Sequence, residues 1–197
     1  MKNIPALDSK VLDLVTEISK EPKVEAAMAF IKDQTEVAMQ EQIELCEIEA
    51  PTFHEEKRAA SVAERMKQYG LTDVHIDEIG NVIGIRKGTG SGPVLAIGAH
   101  MDSVFPAGTD VKVKKEGNIY RAPGIGDNCS GLRALLQVLR AMEKEDIRTV
   151  GDIWFVGTVG EEGNGDIRGS KHLCANNKLD GFVAIDSTDV GRVLYGA

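Results

Sequence analysis

Apolar positions recur at helical spacing through the first third of the chain. Val11, Leu12, Leu14, Val15 and Ile18 make a short apolar face. Pro22 suits the first turn of a second helix, where its missing N–H costs nothing. That helix is expected to run through residues 24–48, VEAAMAFIKDQTEVAMQEQIELCEI, and to stop before Pro51. A third helix is expected over residues 52–70, TFHEEKRAASVAERMKQYG. Thr52 with Glu55 three residues on forms a capping-box pattern, and Gly70 is its C-terminal stop.

The period then shortens. DVHID and NVIGIRK flank Glu78-Ile79-Gly80 as a hairpin, and VKVKKEGNIYRA reads as an exposed hairpin turning at Glu116-Gly117-Asn118. Three continuous apolar runs, PVLAIGA (93–99), DIWFVGTV (152–159) and GFVAID (181–186), have the character of strands covered on both faces. RVLYGA (192–197) would begin a further strand. Between them SGLRALLQVLRAMEKE is an amphipathic helix and GSKHLCANN a short one. Buried strands alternating with helices imply an α/β sandwich, with a largely parallel mixed sheet and helices on both faces.

Composition narrows the function. The 197 residues suffice for one core, with 42% hydrophobic and 27% charged residues. A net charge of −8 disfavours nucleic acid and anionic membranes as partners, because both select basic patches. No apolar run approaches the ~18 residues that span a bilayer. The first ten residues, MKNIPALDSK, lack the apolar stretch of a signal peptide. Cys46, Cys129 and Cys174 have no metal-type spacing, so three free thiols in a reduced, cytoplasmic protein are expected.

Sites in such sheets form where the carboxyl ends of strands emerge. The run 93–99 leads into His100 and Asp102, the run 152–159 into Glu161 and Glu162, and the run 181–185 into Asp186. Asp127 precedes the amphipathic helix. Each residue has a plainer role open to it. His100 could be a core histidine, Asp102 a turn residue, Asp127 a helix cap and Asp186 a turn cap; the glutamates could lie on a solvated loop. Together at one rim, however, these acids would repel strongly unless a cation or protons neutralised them. Imidazole with carboxylates suits zinc, and a bridging carboxylate suits a two-metal site.

The order IGAHMDSV, APGIGDNCSGLRALLQVL, WFVGTVGEEGNGDIRGSKHL and GFVAIDST resembles the co-catalytic di-zinc exopeptidases and amidohydrolases. Peptidase T, aminoacylase, carboxypeptidase G, acetylornithine deacetylase and succinyl-diaminopimelate desuccinylase belong to that family. The resemblance covers about residues 40–197 and implies a zinc-exopeptidase-like three-layer fold. It implies that His100 and Asp186 bind one zinc, Asp127 bridges two, and Glu162 binds the second. Glu161 would be the general base, Asp102 would orient His100, and the Asp127–Asn128 peptide would be cis. Cobalt, manganese or magnesium could replace zinc in so carboxylate-rich a site. The implied substrate is a small peptide or an N-acyl amino acid.

Two departures shape the expectation. Asn128-Cys129-Ser130-Gly131 stands where many members have Met-Lys-Gly-Gly, which looks closer to the peptidase-T-like and unassigned peptidase branches than to the deacetylases. The chain also ends at Ala197, where members insert a lid or dimerisation domain before returning with a final histidine ligand. His54, His75 and His172 do not match that ligand and are expected at the surface or in packing. Residues 1–197 are thus expected to be the N-terminal segment of a catalytic domain, incomplete at the C-terminus and poorly active alone, with residues 1–50 largely helical. An exposed apolar patch could then drive homo-oligomerisation. The alternative is a non-catalytic metal-binding or assembly module.

Overall fold

The computed structural model describes residues 8–186. Four helices come first: α1 (Ser9–Ser19), α2 (Pro22–Asp33), α3 (Thr35–Cys46) and α4 (Glu56–Gln68). Strands β1 (Asp73–Ile76), β2 (Val82–Arg86) and β3 (Leu95–His100) follow. The small hairpin β4 (Lys114–Glu116) and β5 (Ile119–Arg121) leads to α5 (Cys129–Lys144). The described chain closes with β6 (Ile153–Thr158), α6 (Arg168–Asn176) and β7 (Gly181–Ala184). The strand expected over 192–197 lies outside the described residues.

Five strands form one mixed sheet in the order β1-β2-β6-β3-β7. β6, β3 and β7 run parallel, whereas β1 and β2 join antiparallel at one side. Pleating sends Val82 and Phe155 to one face, and Ile83, Ala96 and Val156 to the other. The first face carries the main core, packed by Leu45 of α3, Val62 and Met66 of α4, and α5. Leu132, Leu135, Leu136 and Leu139 repeat at helical spacing along α5 and are all fully buried. Each contributes about 1.5–3 kcal/mol by leaving water. Leu173 of α6 packs on the opposite face, so helices cover both sides as expected.

The helical region departs from expectation in two places. The single helix over 24–48 is broken at Gln34 into α2 and α3. There the Thr35 hydroxyl donates to the Lys32 carbonyl at 2.6 Å, a local side-chain bond that competes with helix continuation. The capping box at Thr52 does not form either, and α4 begins at Glu56. Thr52 and Glu55 are drawn instead to partners across the fold. The expected stop at Gly70 is observed, with φ at 104°. The α1 apolar face is exposed throughout.

Arg58 of α4 fixes the base of the site. It is 1% exposed, and the carbonyls of Leu45, Cys46 and Ile48 at the end of α3 accept from its guanidinium. Nη1 donates to the Met101 carbonyl at 2.7 Å, between His100 and Asp102. One buried cation thereby satisfies helix-end carbonyls and anchors the chain leaving β3.

Candidate metal centre

Strand register creates the site. His100 pairs with Thr158 in the parallel β3–β6 ladder, so the chain leaves both strands on the same rim. β7 runs parallel on the other side of β3, with Ala184 opposite Gly98, and brings Asp186 to that rim. Asp127 directly precedes the N-terminal end of α5. It is not the cap of that helix: Asn128 accepts the Gly131 N–H at 3.0 Å and fills that role. Asn128 Nδ2 also donates to the Ile185 carbonyl at 2.8 Å, tying α5 to the end of β7. The Asp127–Asn128 peptide is cis, as the resemblance implied.

All six singled-out residues meet. Nε2 of His100 lies 3.0 Å from Asp127 Oδ1 and 3.6 Å from Asp186 Oδ1. Its Nδ1 lies 3.1 Å from the Asp102 carbonyl oxygen and 3.5 Å from Asp102 Oδ1. Two groups present ligand atoms that all lie within 4.8 Å of one another: His100, Glu161 and Asp186; and His100, Asp127 and Glu162. One imidazole and hard carboxylate oxygens at this spacing fit a divalent cation. His54 is exposed and His75 about half-exposed, while His172 pairs with Glu78 at 2.9 Å, so none of the three joins these groups.

The Gly160-Glu161-Glu162 turn is held by two buried carboxylates. Asp102, fully buried, accepts the N–H of Glu161 at 2.9 Å and of Glu162 at 3.0 Å, one on each oxygen. The Thr52 hydroxyl donates to the same carboxylate at 2.9 Å. Glu55 accepts the Gly160 N–H at 2.9 Å and pairs with Arg168. Thr52, Glu55 and Arg168 were missing from the sequence-based site. Thr52 and Glu55 read there as a helix start, and no periodic signal links residues about a hundred positions apart.

The electrostatics follow from this packing. Burial pushes the His100 pKa down, but Asp102, Asp186 and Asp127 outweigh it and raise it to about 9. Burial pushes Asp102 up, but His100, the two backbone N–H groups and Thr52 hold it at about 2. Burial raises Glu161 and Glu162, and neighbouring carboxylates add to the rise while His100 opposes it. The site therefore pairs a firmly ionised carboxylate with two glutamates that hold protons more readily than usual. A cavity of about 270 Å³ opens beside His100, Glu161 and Asp186, walled by Ile167, Phe182 and Ile185.

Residues 96–193 match the profile of Peptidase family M20/M25/M40. The chain belongs to the M20 family. A Pyrococcus abyssi protein named as a putative LysW-lysine/LysW-ornithine hydrolase is 35% identical over 120 residues, covering 61% of this chain and 32% of its own length. Among solved structures, a tripeptidase from Staphylococcus aureus has 31% identity and a TM-score of 0.64, over 77% of this chain and 43% of that one. The aminopeptidase PepT of Bacillus cereus has 24% identity and a TM-score of 0.66, over 78% and 44%, and shows the shared fold. The chain thus spans 32–44% of the length of these M20 relatives.

Proposed function

We propose that this M20 chain carries the larger part of the metal centre of an amide- or peptide-bond hydrolase. The observation that carries the reading is the meeting of His100 with Asp127, Glu161, Glu162 and Asp186 at one strand rim. In this reading His100 and Asp186 would hold one zinc, Glu162 would hold a second, and Asp127 would serve both. When bound, the ions would lower the pKa of a water and polarise the substrate carbonyl.

The chain's own residues do the rest. Glu161 takes a proton from the attacking water and returns it to the leaving nitrogen. Its raised pKa suits that exchange, since a base that holds its proton too weakly cannot deliver it again. Asp102 fixes the His100 ring through Nδ1, so that Nε2 faces the carboxylates. The substrate class is a small peptide or N-acyl amino acid. A cytoplasmic location is in keeping with the free thiols of Cys46, Cys129 and Cys174. No helix among the described residues is long and apolar enough to cross a membrane.

The test is release of amino acids from dipeptides and N-acyl amino acids by the zinc-loaded, full-length protein. Turnover abolished by a chelator and by Glu161→Gln supports the reading. Turnover that survives both contradicts it.

A further inference from the structure

The two carboxylates that hold the glutamate turn differ in position. Asp102 belongs to the metal centre, whereas Glu55 sits behind the turn, at the entry to α4. The Glu55 side chain is 4% exposed, and Arg168 Nη2 lies 3.3 and 3.2 Å from its two oxygens. Arg168 also donates through Nη1 to the Ile79 carbonyl at 2.9 Å and through its backbone N–H to the Gly160 carbonyl at 3.0 Å. Gly160 is therefore held at its N–H by Glu55 and at its C=O by Arg168. Gly160 has φ +59°, and a Cβ there would run into the Arg168 side chain, which packs in the space the glycine leaves. The Phe53 ring lies against the guanidinium with 5.2 Å to its centroid, from a backbone at φ 74° that bulky residues rarely adopt.

A buried ion pair is a weak source of stability, because well-packed apolar residues serve as well. Here the pair joins residues 113 positions apart and grips the residue that starts the turn. We propose that Glu55 and Arg168 are positioning residues: they fix where Glu161 and Glu162 stand and so set the affinity of the Glu162 group for a divalent cation. The metal half of this proposal rests on Glu162 being a ligand; the grip on the turn does not.

The experiment compares wild type with Arg168→Met, Arg168→Lys and the isosteric Glu55→Gln. One readout is amide hydrogen exchange in metal-free protein, and the other is zinc affinity by competition with a chelating dye. In Arg168→Met and Glu55→Gln, exchange at Glu161 and Glu162 should quicken at least about tenfold, while that of Leu135 and Leu136 in α5 stays within about twofold. Zinc affinity should fall about 10- to 100-fold, the usual effect of losing a group that orients a ligand. Arg168→Lys should recover part of both. Unchanged exchange at Glu161 and Glu162 overturns the proposal whatever the metal does. Faster exchange with unchanged zinc affinity overturns its metal half. If wild type takes up no zinc, the reading of the metal centre fails instead, and exchange still decides the grip on the turn.

Discussion

Asp102 accepts the backbone N–H of Glu161 at 2.9 Å, across 59 residues of chain. Its other oxygen accepts the N–H of Glu162, so one buried carboxylate places both glutamates and faces His100 as well. Asp102→Ala would leave three buried or half-buried donors without an acceptor. The expected loss is about 3–5 kcal/mol of folding stability. Thr52→Val removes one donor and should cost about 1 kcal/mol. Urea unfolding of the metal-free variants measures both, and equal small losses would mean that Asp102 does not organise the turn.

Stability of the metal-free protein should peak in mildly acidic solution. Asp102 titrates at about 2, below its usual 3.8, so its contribution is present above pH 4 and lost as pH falls through 2. His100 titrates at about 9, above its usual 6.5, so its contribution is complete below pH 6.5 and lost as pH rises through 9. Glu161 and Glu162 titrate above their usual 4.5, so their contribution too is lost as pH rises past that value. Excess zinc should reverse the alkaline limb, because only neutral imidazole binds metal. Urea midpoints at pH 3, 5.5 and 9, with and without zinc, check the pattern; a midpoint that rises from pH 5.5 to 9 without metal runs against it.

Asn128 joins α5 to the end of β7 through Gly131 and Ile185. Asn128→Ala removes a cap, at about 1 kcal/mol, and leaves the Ile185 carbonyl without that donor, at about 1–3 kcal/mol more. A total near 2–4 kcal/mol is expected, with weaker zinc binding because Asp186 follows Ile185 directly. A variant as stable as wild type would show that the tie carries no energy.

The adjacent glutamates should separate by experiment. Glu162→Ala should lower zinc stoichiometry, whereas Glu161→Gln should leave the metal bound and remove turnover in the full-length enzyme. Elemental analysis after equilibrium dialysis distinguishes them, and the opposite pattern would exchange their roles.

Much of this site is legible in the sequence, since four of its residues follow apolar runs that become strands, although β7, expected to be covered on both faces, leaves Val183 56% exposed. His100, Glu161, Glu162 and Asp186 inherit their place from β3, β6 and β7, and parallel register does the rest. The four leucines of α5 announce the helix that covers the sheet. What stays hidden acts across the fold. Arg58 reaches the Met101 carbonyl over 43 residues, and Glu55 reaches Gly160 over 105. Such contacts leave no periodic trace, so Thr52 and Glu55 resemble a local cap until the packed structure shows stronger partners. The break at Gln34 is hidden for the opposite reason: apolar spacing continues through it, and only a threonine side-chain bond marks the stop.

The most direct test of the central claim is zinc uptake by residues 1–197 after dialysis, compared with the Asp127→Ala, Glu162→Ala double variant. The metal-centre account predicts that the wild-type chain retains zinc and that the folded double variant retains clearly less. Equal uptake by both, or none by the wild type, would contradict it.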